Sequence, residues 1–191
     1  MRVAWGIVGL SAALAAGQAE AARTEPKTIQ AIMDTVVDPS ADSLWEAAGT
    51  EVTAKGVKAH GPHTAKQWEK AKGLALEIVH GARLLQTQRQ VGGNGHWALA
   101  DASTPSIRTA AQIEADIARD PQRFYQAAAR LQRTAEDAAD ALGRRDLDAF
   151  LEAGGRIDAA CEACHAAYWY PRNPPRPLPD PAAFARTAAR P

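Results

Sequence analysis

The stretch CEACH, from Cys161 to His165, contains the residues whose types and spacing predict chemistry. Cys161 and Cys164 are the only two cysteines of the 191-residue chain, and His165 follows the second one directly. Residues of these types occur together in thiol–disulfide pairs, in metal sites, and in the C-x-x-C-H sequence to which c-type haem is attached. The surrounding sequence has to distinguish between these three kinds of site.

The motif lies on the predicted last helix of the chain, which Asp146 caps and Pro171 ends. Residues three and four apart on a helix share one side of it, so both thiols face the apolar side and His165 borders the same face. Two thiols at this spacing can form thioether bonds to the vinyl groups of a porphyrin, and the adjacent imidazole can bind its iron. The apolar positions of this helix are Leu147, Phe150, Gly154, Ile157, Cys161, Cys164 and Tyr168.

The alternatives to haem each lack something that they need. A thioredoxin-like pair is typical of a βαβ unit, and the sequence shows none. A zinc site needs four ligands, and His60 and His63, which could complete it, lie far away in a predicted loop. A disulfide between Cys161 and Cys164 would close so short a loop that it would stabilise the chain little. An inert buried pair of cysteines would not need the histidine that follows it. The motif therefore favours one covalently attached haem c with its iron.

The elements that must position this motif are predicted from apolar residues that recur three and four positions apart. One helix spans 64–89. Its residues from Thr64 to Gln67 fit a capping box, and the Gly-Gly pair at 92–93 stops it. A second helix opens at Asp120-Pro121, because proline is tolerated in the first turn, and closes at Gly143.

A further helix is predicted within 27–48, and Asp38-Pro39 should interrupt it as a kink or as a break between two helices. A shorter helix follows Thr104-Pro105 and carries Ile107. Four long helices, each with one apolar side, have to bury those sides against one another. The predicted fold is therefore all-α, an antiparallel four-helix bundle over residues 23–170, with an irregular arrangement of the same helices as the alternative.

The two ends of the chain are predicted to lie outside this domain. Residues 1–22 have the form of a cleaved signal peptide, because Arg2 precedes an apolar run and small residues in A-x-A spacing follow it. That run is shorter than the roughly 20 residues of a membrane span, and no other stretch could cross a membrane. Residues 171–191 hold most of the prolines and are predicted to form an extended tail. The net charge of zero provides no basic field for nucleic acid.

A signal peptide, four predicted helices and CEACH on the last of them together resemble the cytochrome c-prime family and its low-spin relatives, the cytochromes c-556. The resemblance covers residues 27–170 in architecture, and CEACH is its one specific motif. It implies a haem held inside an antiparallel four-helix bundle, in the periplasm, often as a homodimer. Within that bundle, Cys161 and Cys164 are the implied thioether sites and His165 is the implied proximal ligand of the iron.

One feature departs from the pattern of that family. Its members commonly carry a basic residue a few positions after the histidine, whereas this chain has no charged residue there before Arg172. Aromatic residues stand in that place and are predicted either to shield the haem or to pack the helix end. These residues are Tyr168, Trp169 and Tyr170, and two further aromatic residues, Trp45 and Trp68, are predicted to lie in the core.

The sixth iron ligand decides what such a protein does, and Met33 is the leading candidate. It is the only methionine left once residues 1–22 are removed, and it lies on the apolar side of the first mature helix. A methionine on the first helix ligates the iron in the c-556 branch, so the resemblance implies that role for Met33. The alternative is that Met33 only fills space in the core. The other candidates are weaker: His80 faces away from the apolar side, His60 and His63 lie in a loop, and His96 lies in a glycine-rich loop.

We therefore expect a periplasmic mono-haem cytochrome, not an enzyme, that carries single electrons between redox donor and acceptor proteins of the periplasm. No catalytic acid, base or nucleophile is evident in the sequence. Two alternatives stay open. One is a five-coordinate haem protein that binds nitric oxide or carbon monoxide, and the other is a haemless helical binding module.

Overall fold

The computed structural model describes residues 26–92, 99, 102–104 and 106–170. The predicted signal peptide at 1–22, the loop with His96 and the tail at 171–191 lie outside the described residues. Among the residues that are described, no helix is long and apolar enough to cross a membrane.

The described part of the chain is mostly helical and also contains one small antiparallel sheet. The longest elements are three helices of 23, 24 and 22 residues. In chain order the elements are α1 (Ile29–Ile32), a π-helical turn (Met33–Val37), α2 (Asp38–Ala47), β1 (Gly49–Thr53), β2 (Gly56–His60), α3 (Ala65–Thr87), α4 (Ala110–Arg119), α5 (Pro121–Arg144) and α6 (Leu147–Tyr168).

The two-stranded hairpin corrects the all-α prediction. Its strands pair from Gly49 with His60 to Thr53 with Gly56. The turn is closed locally, because the hydroxyl of Thr53 donates to the carbonyl of Gly56 at 2.9 Å and accepts from the N–H of Lys55 at 3.2 Å. Gly56 has φ of 117°, which side-chain-bearing residues rarely adopt. The hairpin escapes a search for periodicity because its side chains are mostly exposed on both faces.

The N-terminal helical segment contains the predicted interruption, in the form of a π-helical turn. The N–H of Asp38 donates to the carbonyl of Met33, five residues back instead of four. Pro39 supplies the reason, since it has no N–H and its ring crowds the carbonyl four residues earlier, at Thr35. A wider turn just before the proline relieves that crowding and keeps the helical path continuous.

The long helices begin where the sequence predicts. Thr64 and Gln67 form the capping box of α3, and the side chain of Asp120 accepts from the N–H of Arg123 at the start of α5. The predicted end of α5 at Gly143 is wrong, because the helix continues to Arg144.

The end of α5 is a Schellman motif. Arg145 takes the left-handed conformation with φ of 57°. The N–H groups of Arg145 and Asp146 donate back to the carbonyls of Leu142 and Ala141 at 3.1 and 3.0 Å. The hydrogen-bond pattern at the end of the helix, and not the presence of glycine, therefore decides where α5 stops.

The short helix α4 begins later than predicted. Thr109 and Gln112 form its capping box, so Ile107 lies before the helix and not within it. Ile113 and Ile117 on α4 are buried. The guanidinium of Arg108 pairs with the carboxylate of Asp116 and holds the segment before the helix against it.

The core forms where α3 packs on α5, α5 packs on α6, and the N-terminal segment packs on α3. Gly81 on α3 permits the last of these contacts, because a Cβ atom there would lie 2.6 Å from Cγ2 of Val37. Trp68 is half-buried against the core, but Trp45 is 43% exposed, so its predicted core position is wrong. The largest fully buried side chains are Ile32, Val37, Leu44, Ile78, Ile117, Leu142 and Ile157.

Candidate functional site

An apolar cleft lies between the N-terminal helical segment and α6. Its empty space, open mouth included, is about 970 Å³. Every helix except α2 contributes apolar side chains to its walls, among them Ile29, Leu85, Val91, Leu99, Ile113, Phe124 and Leu131.

The four site residues predicted from the sequence all line this cleft. Cys161, Cys164 and His165 come from the last turns of α6, and Met33 comes from the first residue of the π-helical turn. Cys161, Cys164 and His165 lie together because they are close in the sequence. Only the packing of the helices brings Met33, from the other end of the described chain, to the same cavity.

Both cysteines are free thiols and half-buried. Burial, together with the charges of Cys164, Asp38 and Asp158, raises the pKa of Cys161 to about 12. Burial likewise raises the pKa of Cys164 to about 11. Redox-active C-x-x-C pairs have a lowered thiol pKa instead. The cysteines of the haem-free polypeptide are therefore neutral thiols at pH 7, unlike those of a disulfide oxidoreductase.

His165 is half-buried, and two aromatic rings flank its imidazole. The ring of Trp169 meets it edge-on at 5.1 Å between centroids, and that of Tyr170 does so at 6.2 Å. Burial lowers the pKa of His165, and the nearby carboxylate of Glu162 partly opposes the shift. The imidazole of the haem-free chain is therefore held in the neutral form, which is the form that binds a metal.

The end of α6 wraps around the backbone of His165. The carbonyl of His165 accepts the N–H of Trp169 at 2.7 Å and that of Tyr170 at 3.0 Å. The phenol of Tyr170 donates to the carboxylate of Glu162 at 2.5 Å. Burial, and then this hydrogen bond, raises the pKa of Tyr170 above its ordinary range. Two of the three aromatic residues predicted to shield a haem or to pack the helix end, Trp169 and Tyr170, are thus in contact with the candidate ligand.

Two buried polar atoms at the cleft lack a hydrogen-bond partner among the described residues. They are the phenol oxygen of Tyr168 and the indole nitrogen of Trp169. The ring of Tyr168 is fixed by an edge-on contact with Phe124, 5.4 Å between centroids. An unpaired buried polar group costs about 1–3 kcal/mol, so polar atoms of a bound group would be stabilised here.

Comparison with known families gives a match over the part of the chain that carries CEACH. The family model described as Cytochrome C' matches residues 80–169, which include α4, α5, α6 and the CEACH motif. Over these residues the chain is similar to the cytochrome c-prime family. The resemblance recognised from CEACH is therefore confirmed. The search of curated proteins and the search of solved structures each found no match.

Similarity to the cytochrome c-prime family suggests a c-type cytochrome with covalently bound haem, and proteins of this family are typically periplasmic. The residues at the cleft fit such a group. The walls are apolar, as a porphyrin requires. Two neutral thiols stand three residues apart beside a neutral imidazole, and the unpaired donors of Tyr168 and Trp169 offer polar contacts.

The remaining histidines do not line the cleft where they are described. His80 is exposed on α3, in agreement with the prediction that it faces away from the core. His60 and His63 are exposed too, but His60 ends strand β2, so its predicted loop position is wrong. Within the described residues, no group of three or more His, Cys, Asp or Glu side chains is arranged to hold a metal ion. His96 lies outside those residues.

Two acidic residues at the cleft were missed by sequence reasoning. Asp34 and Asp38 follow Met33 on the same helical segment and line the cleft with it. Burial raises the pKa of Asp38, and the charges of Asp34 and Asp42 add to the shift. The sequence feature that could have indicated them is their spacing of four residues. That spacing places both carboxylates on one side of a helix but does not show what this side contacts.

Proposed function

We propose that the protein is a periplasmic mono-haem c-type cytochrome that carries single electrons. Cys161 and Cys164 attach the haem, and His165 and Met33 bind its iron. We further propose that the N-terminal segment, α3, α5 and α6 form an antiparallel four-helix bundle around it. The pairing of the N-terminal segment with α3, of α3 with α5 and of α5 with α6 supports this arrangement.

The observation that carries the proposal is the presence of Met33 in the same cleft as CEACH. The haem supplies the one-electron chemistry when it is bound. Ligation by histidine and methionine is typical of electron-transfer cytochromes, in which the thioether raises the reduction potential. The chain has no methionine other than Met33 and Met1, so the position of Met33 in this cleft supports its role as an iron ligand.

The polypeptide's own part in electron transfer is to hold the ligands and to exclude water. Trp169 and Tyr170 contact the imidazole of His165 and limit its rotation. Leu85, Leu131 and other apolar side chains line the cleft and keep it dry.

One observation favours the second candidate, a five-coordinate protein that binds nitric oxide or carbon monoxide. Met33 packs against the main hydrophobic core as well as lining the cleft. A methionine in such a contact can serve as a filler of space alone. In that case the sixth position of the iron would be open to a small gas.

Absorption spectra of the holoprotein in the oxidised state, in the reduced state and in the reduced state with carbon monoxide distinguish these functions. We expect a sharp low-spin reduced spectrum that carbon monoxide does not change. Met33→Leu keeps the volume of the side chain and removes the sulfur. It should convert the spectrum to one that carbon monoxide shifts. A wild-type spectrum that is already high-spin and responds to the gas would support the second candidate instead.

Haem attachment is tested separately, on denaturing gels stained for haem. Wild-type protein from cells that mature c-type cytochromes should keep its haem through denaturation. The Cys161→Ala/Cys164→Ala variant should lose it. Haem retained by the double variant would contradict thioether attachment, and a wild-type protein without haem would support the haemless binding module.

A further inference from the structure

A second groove opens on the surface between α5 and α6, next to the cleft. Its empty space, open mouth included, is about 670 Å³. Four residues, Ala127, Ala160, Cys164 and Tyr168, line both the groove and the cleft, so their side chains lie between the two cavities. The rest of the groove is made by Arg123, Gln126 and Arg130 of α5, facing Ala163 and Ala167 of α6.

The charged side chains that line this groove, among the described residues, are the two arginines Arg123 and Arg130. Arg123 and Arg130 are exposed, and neither makes an ion pair within the described structure. The guanidinium of Arg123 lies over the ring of Tyr168, 6.0 Å from its centroid. Among the described residues, no carboxylate lines the groove. The nearest ones along the chain are engaged elsewhere, because Asp120 caps α5 and Glu162 accepts from Tyr170.

The alanines opposite the arginines let another molecule approach closely. Ala163 is exposed and Ala167 half-buried, and neither side chain extends beyond a methyl group. Under the proposed function, the sulfur of Cys164 is bonded to the haem. A molecule seated in the groove would then lie against an atom that is covalently continuous with the redox group.

We propose that this groove, which we call the arginine groove (Arg123, Gln126, Arg130, Ala163, Cys164, Ala167), is the docking surface for an acidic redox protein. This proposal rests on the proposed electron-transfer function and names the chemistry of the partner. Carboxylates of the partner pair with the two arginines and bring its redox group to the Cys164 edge. Each encounter moves one electron, so the donor is oxidised and the acceptor is reduced by one electron, and no bond forms or breaks. Charged groups at such a rim act mainly on the rate of association and on its dependence on salt.

The test measures how fast the reduced holoprotein is oxidised by two small reagents of opposite charge. Ferricyanide is anionic and tris(phenanthroline)cobalt(III) is cationic. Electrostatic attraction can raise association rates by about 10-fold to 1,000-fold. We therefore expect Arg123→Gln/Arg130→Gln to slow the reaction with ferricyanide at least about threefold at low ionic strength and not to slow the reaction with the cobalt reagent. The difference should disappear in high salt.

A matched control removes two positive charges on a neighbouring helix, near the start of α6 and so far from the groove. Lys66 and Lys70 are exposed on the first turns of α3. That end lies near the start of α6, because Gly61 packs against Leu147, a residue remote from Cys164 along the helix. Lys66→Gln/Lys70→Gln should change the ferricyanide rate much less. Arg130→Gln alone, which leaves the contact of Arg123 with Tyr168 intact, should give part of the effect.

Poly-L-glutamate then tests for a macromolecular partner, since it presents the charge of an acidic protein surface. It should compete with ferricyanide on the wild type and not on the arginine double variant. Equal slowing by the two double variants would overturn the proposal. Failure of poly-L-glutamate to compete would also overturn it, because the groove would then attract small anions only. A reversible one-electron redox titration of the same sample shows whether the proposed electron-transfer function holds when docking fails. A protein that exchanges electrons with neither reagent would overturn both the proposed function and the docking proposal.

Discussion

Gly81 on α3 and Val37 on the π-helical turn are in such close contact that a Cβ atom at position 81 would lie 2.6 Å from Cγ2 of Val37. Val37 is fully buried and cannot swing aside. The absence of a side chain at Gly81 therefore sets how near the segment that carries Met33 approaches α3. The geometry of the cleft depends on this contact, although neither residue lines it.

Gly81→Ala should destabilise the protein. Overpacking of a core typically costs about 1–3 kcal/mol, which exceeds the gain in helix propensity of about 1 kcal/mol. We expect a loss of about 1–2 kcal/mol in the free energy of unfolding, measured by urea denaturation. Gly73→Ala is the matched control on the same helix, because a Cβ atom there would meet nothing within 4 Å. It should be neutral or stabilising, and equal losses in the two variants would contradict the packing argument.

Pro39→Ala should disturb the position of Met33. Alanine restores the N–H at position 39, so the helix can form the normal bond to the carbonyl of Thr35 and convert the π-helical turn into α-helix. Such a conversion rotates Met33 relative to the residues after it. We expect a fraction of high-spin haem that binds carbon monoxide, seen in the absorption spectrum. Pro121→Ala, at the first position of α5 where no hydrogen bond is lost, should leave the spectrum unchanged.

Arg145→Gly should stabilise the protein. Arg145 is the one described residue other than glycine with positive φ, and glycine adopts that conformation without steric cost. We expect a gain of about 0.5–1 kcal/mol in the free energy of unfolding. Arg144→Gly, one position earlier inside α5, should instead lower it by about 0.5–1 kcal/mol. If thermal melting showed the two changes acting in the same direction, the assigned end of the helix would be wrong.

The contact of Tyr170 with Glu162 predicts a loss of stability in alkali. Burial and the hydrogen bond raise the pKa of Tyr170, so the folded state holds the phenol proton more tightly than the unfolded chain does. The resulting stabilisation is complete below the ordinary pKa of tyrosine, about 10, and decreases as the pH rises beyond it. Tyr170→Phe should therefore lose less stability than the wild type between pH 9.5 and about 11 in denaturant titrations.

The exposed Tyr125 provides the control for that experiment. Tyr125→Phe should keep the pH dependence of the wild type. If Tyr170→Phe and the wild type lost stability equally over this pH range, the hydrogen bond from Tyr170 to Glu162 would not stabilise the folded state as described.

Local features of the sequence determined much of the fold and part of the site. The capping residues Thr64, Asp120 and Asp146 mark the starts of α3, α5 and α6 through hydrogen bonds to backbone groups three residues away. CEACH is equally local, because residues three and four apart share one side of a helix whatever surrounds it. These features depend on neighbours along the chain and can therefore be predicted without tertiary structure.

Other features depend on how the helices pack and could not be predicted in this way. Trp45 has a core-like position in the sequence, yet the rotation of α2 leaves it exposed. The hairpin at 49–60 buries too little to show a pattern, and the arginine groove needs residues from both α5 and α6. The sequence by itself determined that Cys161, Cys164 and His165 lie together near the end of one helix. Only the tertiary structure decided that Met33 lines their cleft, because the approach of two distant segments is set by side-chain packing such as that of Gly81 against Val37.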